Sequence, residues 1–167
     1  GSSRDFSKAR LWPYQNPKAI DGLLEILVEA TVSFLSLQAK AGAECLMLFD
    51  SWAGAVPAIQ RDWLLIKPTR AIIKGVRNNG HQQPIIGFPK GLGDGLISYA
   101  AESGVDAIGL DHGVDPFWAG KNLPAHLPVQ GNLDPLSLIS AGKEMLRNID
   151  YILEAFHSRP HIFNLGH

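Results

Sequence analysis

The chain has 167 residues, 46% of them hydrophobic and 19% charged, with a formal net charge of −1. That length supports one hydrophobic core and argues against a second domain, while near-neutrality argues against a general nucleic-acid or polyanion binder without excluding a local cationic pocket. The lone cysteine, Cys45, rules out a disulfide framework and a thiolate metal cage.

Taken in chain order, Pro17 to Lys40 reads as a long helix. Ile20, Leu23, Leu24, Leu27, Val28, Phe34 and Leu35 recur at three- and four-residue steps. Asn16 before Pro17 is an N-cap with proline at N1, and Gly42 is a stop. A strand is expected over Cys45–Phe49. Ala58 to Arg77 reads as helical with an interruption near Pro68, ended by Asn78-Asn79-Gly80. A strand over Pro84–Phe88 precedes a helix over Gly95–Glu102 that stops at Gly104. A strand over Ala107–Leu110 leads into a turn through Asp115-Pro116, then a strand over Val129–Gly131. Asp134-Pro135 is a second N-cap with proline at N1. The helix Lys143–Phe156 carries Met145, Leu146, Ile149, Ile152, Leu153 and Phe156 on one face, and a strand over Ile162–Leu165 follows.

The five strand runs, LMLFDSW, IIGFPKG, AIGLDHG, VQGNLDP and IFNLGH, are each apolar and end in a polar cluster. A strand buried on both faces loses polar alternation. Even alternation of strand and helix implies parallel pairing with right-handed crossovers, and polar strand ends mark where such folds place their chemistry. The candidates there are Asp50, Ser51, Lys90, Asp111, His112, Asn132, Asp134, Asn164 and His167. Length alone favours a five-stranded open sheet over a closed (β/α)8 barrel, which takes about 250 residues. The last strand has no helix after it, whereas a finished barrel or doubly wound domain usually covers its last strand, so the chain is expected to be cut from something longer.

No apolar stretch reaches the roughly 18–20 residues of a membrane span, and the start GSSRDFSKAR is polar, unlike a secretory leader. A cytoplasmic protein that contacts neither membrane nor nucleic acid is expected.

LFDSWAG (48–54), GLDHGVD (109–115), LPVQGNLDP (127–135) and HIFNLGH (161–167), with SSRDFSKAR (2–10) and IIGFPKG (85–91), resemble the uroporphyrinogen decarboxylase family in order and spacing. The resemblance covers nearly the whole chain as a single domain. It implies an α/β fold, a (β/α)8 TIM barrel, present here as an incomplete barrel of about five βα units with the first three strands absent. Gly1-Ser2-Ser3 is then family sequence just after the third strand. An arginine-rich RQAGRY-like segment, and the strand whose aspartate faces the pyrrole nitrogens, are not in these residues. Five strands alone would leave raw edges, so independent folding and activity are not expected.

The resemblance further implies a cofactor-free decarboxylation. The four acetate arms of uroporphyrinogen III become methyl groups, giving coproporphyrinogen III for haem biosynthesis, in a homodimer. It places Ser51 against the substrate as a hydroxyl donor, where the plainer alternative is a helix N-cap. It places His167 in the pocket as a donor to a carboxylate or the pyrrole rim, with Phe49 as a further substrate contact. Lys90 is either a cation for a substrate carboxylate or an ion-pair partner of Asp111. Asp50 and Asp111 invite a paired-carboxylate mechanism, but carboxylates facing an eight-fold anion are unfavourable. They are therefore read as structural, as are Asn132 and the capping Asp134. His112 stands where the related pattern GLDW has an aromatic, and is a candidate pocket wall. GLGDG (91–95) does not fit a phosphate-binding glycine motif and reads as a flexible loop. His81, His126, His157 and His161 lack metal-ligand spacing and read as surface residues.

Two other readings stand beside this one. Zinc-dependent thiol methyltransferases share the barrel superfamily, but need a His-x-Cys pair and a distant cysteine that this sequence lacks. The other is a non-catalytic fragment or interaction module.

Overall fold

Five parallel strands pair in strict sequence order in the computed structural model, which describes residues 5–167. They are β1 (Leu46–Asp50), β2 (Ile85–Pro89), β3 (Ala107–Gly109), β4 (Val129–Gln130) and β5 (His161–Ile162). A doubly wound open sheet reverses its strand order at a switch point. No reversal occurs here, and same-handed crossovers between consecutive neighbours put every connecting helix on one face. The architecture is an arc of a (β/α)8 barrel, and the preference for an open sheet from length alone is corrected by this order.

The two faces separate cleanly by strand parity. Leu46, Ile85, Ile108 and Val129 share one core with Leu35, Ile73, Val76, Tyr99, Ala119, Ile152 and Phe156 from the helices. Register aligns the alternate residues on the other face: Met47 with Ile86, Phe49 with Phe88, and Gly109 with Gln130. Ile86, Phe88 and Ala107 are buried there without joining the helix-side core. At the N-terminal ends of the strands, Arg77 pairs with Asp106 at 2.7 Å, and the same carboxylate oxygen accepts from Ile85 N at 2.8 Å. The Arg159 guanidinium donates to the carbonyls of Pro124 and Leu127.

Helix α2 spans Pro17–Lys40, as the Asn16-Pro17 start and the Gly42 stop predict. Gly42 has φ 103°, the left-handed backbone that glycine adopts most easily. Its apolar stripe exceeds its buried face: Ile20, Leu35 and Ala39 are buried, whereas Leu27, Phe34 and Leu37 are exposed. The same correction applies to α7 (Gly142–Ala155), where Ile152 is buried but Leu146 and Leu153 are exposed.

Two helices lie where none is expected, α1 (Ser7–Gln15) and α5 (Pro116–Asn122), while α6 (Pro135–Ser140) starts at the expected Asp134-Pro135 cap. The expected turn at Asp115-Pro116 is the start of α5, with Asp115 Oδ1 accepting from Trp118 N at 2.8 Å. The stretch from Ala58 resolves into a 3-10 turn (Ala58–Gln60), a π-helical turn (Asp62–Ile66) and α3 (Lys67–Asn78). Pro68 follows the π-helical turn within a helical run that is unbroken from residue 61 to 78, so its missing N–H removes one helical donor there. Strands β1 and β2 begin one residue later than expected. Cys45 accordingly precedes β1 and is exposed, rather than buried in a strand. The GLGDG run contains a 3-10 turn (Gly93–Gly95) tied down by Asp94 to Arg61 at 2.9 Å, before helix α4 (Leu96–Glu102). His161 is half-buried against Phe156, and its Nε2 lies 2.6 Å from Gly131 O, so it is not a free surface residue. Gly1-Ser2-Ser3 and the start of the 2–10 motif lie outside the described residues.

Candidate active site

The C-terminal ends of the strands converge on a small cleft of about 100 Å³. Its walls include Met47 and Phe49 from β1, Phe88 from β2, Gly109 from β3 and Gln130 from β4. Asn164, Leu165 and His167 close it after β5. Phe49 and His167, far apart in sequence, therefore share one cleft. The Phe49 and Phe88 rings meet edge to face at 5.9 Å between centroids, a favourable aromatic geometry. A Cβ on Gly109 would lie 2.7 Å from Phe88 Cδ2, so glycine is what leaves room for that ring. Phe49 is 64% exposed, an apolar surface presented to whatever occupies the concave side.

Ser51 and Lys90 sit one residue beyond β1 and β2, on the rim rather than in the cleft wall. Their strand ends are joined by Lys90 N donating to Asp50 O at 3.0 Å. Ser51 is exposed, and among the described residues it caps no helix; the 3-10 turn after it has Trp52 at its N-cap. Lys90 forms no ion pair with Asp111. Asp111 instead accepts from Gly91 N at 2.7 Å and from Gly113 N at 2.9 Å, tying the loops after β2 and β3 together.

Asp50 falls on the helix-facing side by the alternation of β1. Burial pushes its carboxyl above the usual range, and the Trp52 N–H only partly offsets this. Tyr99, buried on the same side, is pushed up to about 12 by desolvation, against a lowering hydrogen bond from Thr69, with the Asp50 charge adding to the rise. Asp50 and Asp111 thus have separate surroundings, and no hydrogen bond joins them.

Asn132 is buried, and its Nδ2 donates to Asp111 O at 2.9 Å and to Val114 O at 2.7 Å. Asp134 Oδ1 accepts from Leu136 N at 2.9 Å at the start of α6. Both line a larger groove of about 320 Å³ between the starts of α5 and α6 and the side of α7. His112 lines that outer groove and not the cleft. Among the described residues no group of three or more His, Cys, Asp or Glu is arranged to hold a metal, and no helix is long and apolar enough to cross a membrane.

Sequence reasoning missed Met47, Phe88 and Gln130 as cleft residues. Parity from Phe49 points to Met47. Gln130, an amide inside a buried strand run, was itself a signal. Phe88 requires the register between β1 and β2, which a single sequence does not supply.

The cleft lies at the strand ends, where parallel α/β folds place their chemistry, and comparison with known proteins bears on the family. The family description "Uroporphyrinogen decarboxylase (URO-D)" matches residues 1–167. A protein of Novosphingobium aromaticivorans named uroporphyrinogen decarboxylase is 46% identical over 165 residues, covering 99% of this chain and 48% of the relative. Proteins of the same name from Sphingopyxis alaskensis and Granulibacter bethesdensis are 47% and 45% identical, with 99% and 100% of this chain covered and 48% and 49% of theirs. The chain spans about half the length of the curated relatives it matches. With the match running from its first residue to its last, the chain belongs to the uroporphyrinogen decarboxylase family.

Proposed function

We propose that this chain is the five-stranded part of a cytoplasmic, homodimeric uroporphyrinogen decarboxylase, its single domain being the C-terminal portion of the barrel. The observation that carries the reading is the family match over residues 1–167. The shared cleft of Phe49 and His167 at the strand ends supports it. In this reading the first three strands, and the aspartate that faces the pyrrole nitrogens, come from sequence outside these residues.

The reaction converts the acetate arms of uroporphyrinogen III to methyl groups, releasing CO₂ and giving coproporphyrinogen III. Loss of CO₂ leaves an electron pair beside an electron-rich pyrrole. Prior protonation of a pyrrole carbon turns the ring into an electron sink. The C–CO₂ bond then breaks toward the cationic ring, a proton delivered to the exocyclic carbon forms the methyl, and loss of the proton first placed on the ring carbon restores the pyrrole. The pyrrole serves as its own sink, so the step calls for no cofactor.

Each residue has a bounded task. Phe49, with Phe88 behind it, offers an apolar wall to the macrocycle. His167 donates a hydrogen bond to an acetate carboxylate or the pyrrole rim. Ser51 donates its hydroxyl to a carboxylate, and Lys90 on the neighbouring strand end supplies a cation. Asp50, Asp111, Asn132 and Asp134 hold the strand ends in place.

The test is coproporphyrinogen formation from uroporphyrinogen by the complete protein, with His167→Ala alongside. The reading expects conversion by the parent and at least a tenfold loss of turnover in the variant, at an unchanged melting temperature, as for loss of a transition-state hydrogen bond. No conversion by the parent would overturn the assignment, and full activity in the variant would remove His167 from the site.

A further inference from the structure

His112 lies outside the cleft, yet its contacts run directly to the backbone that carries His167. We propose that His112 is a positioning residue: its imidazole fixes the peptide plane from which His167 enters the cleft. This rests on the reading of His167 as a substrate contact.

The Gly166 carbonyl accepts two bonds from this one residue, from His112 N at 2.9 Å and from His112 Nδ1 at 2.8 Å. A carbonyl can only accept, so Nδ1 carries the proton and the imidazole is held with Nδ1 as donor. The Gly166 carbonyl and the His167 nitrogen belong to one planar peptide unit. Orienting that carbonyl therefore orients the bond to the His167 Cα.

The other side of Gly166 is equally constrained. Its N–H donates to Leu133 O at 2.8 Å, beside the parallel bridge between Leu133 and Leu165. A Cβ at position 166 would collide with His112 N, and would come within 2.7 Å of His112 Cα and 2.9 Å of Asn132 O. Glycine lets the His112 backbone approach this closely, and the approach brings the imidazole into reach. The loop after β3 thereby holds the segment after β5, bypassing β4. The clamp acts from the outer groove while His167 lines the cleft, so His112 can set His167 without touching a ligand there.

The test uses substitutions that separate the two ring nitrogens. Asparagine places an amide donor near the Nδ1 position, glutamine places one near Nε2, and phenylalanine keeps the ring shape with no donor. In the complete enzyme, His112→Phe should lower kcat/KM for uroporphyrinogen about three- to tenfold, the range of one net hydrogen bond. His112→Asn should restore most of that loss and His112→Gln should not. In a His167→Ala background, His112→Phe should add nothing to the loss in kcat/KM, because coupled residues are non-additive. Equal behaviour of Asn and Gln, or an additive effect in the His167→Ala background, overturns the proposal. If His112→Phe fails to fold, the Asn and Gln pair still decides. If His167→Ala alone leaves KM and turnover unchanged, it is the substrate reading of His167 that fails. A defect in His167→Ala with none in His112→Phe refutes only the clamp.

Discussion

At the scale of single residues, Asp50 shows how a strand-end carboxylate can be conspicuous and still face away from the cleft. Burial raises its pKa above the ordinary value, and among the described residues no cation pairs with it to offset the cost. An acid whose folded pKa is raised binds its proton more tightly when folded. Its stabilising contribution is present below the unfolded pKa and is lost as pH rises through the folded value. Asp50→Asn should therefore melt above the parent at pH 7, with the gap closing as pH falls toward 3. A melting difference that does not change with pH would contradict this. Phe49 and His167 were legible in the sequence because each sits in a motif at a strand end. Phe88 was not, because reaching it requires the register between β1 and β2.

At the scale of elements, α2 was legible to the residue because asparagine-proline opens it and a left-handed glycine follows it. Helix α5 was not. Its seven residues, PFWAGKN, contain a glycine and no usable periodicity, and only the Asp115-Pro116 pair marked it. The wide apolar stripes of α2 and α7 likewise do not reveal which residues meet the sheet, because both helices carry more apolar surface than this fold covers. Packing between α2 and α3 turns on one small residue. A Cβ on Gly75 would lie 2.5 Å from Val32 Cγ2, and a β-branched side chain in a helix has little χ1 freedom to yield. Ala for Gly in a helix interior normally gains about 1 kcal/mol, whereas overpacking costs about 1–3 kcal/mol. Gly75→Ala should thus be neutral to destabilising by about 2 kcal/mol, and adding Val32→Ala should recover part of the loss. Denaturant unfolding of the two variants checks this; a stabilised Gly75→Ala would show that the helices separate easily.

At the scale of the molecule, the sequential strand order decides the architecture. The apolar runs and their polar ends announced parallel strands, but order within the sheet is a long-range property that no local pattern carries. The arc leaves its concave side lined by Met47, Phe49 and Phe88, with a cleft at the strand ends. A large polyanion entering there would leave a wide mouth for a second subunit to screen, so the complete protein is expected to elute as a dimer in gel filtration; elution only as a monomer would count against that.

The most direct measurement is a crystal structure of the complete protein with coproporphyrinogen bound. The macrocycle is predicted to lie on the concave side against Phe49, with His167 within hydrogen-bond distance of a carboxylate or the pyrrole rim. A macrocycle seated instead in the groove between α5 and α7, away from Phe49 and His167, would contradict the account.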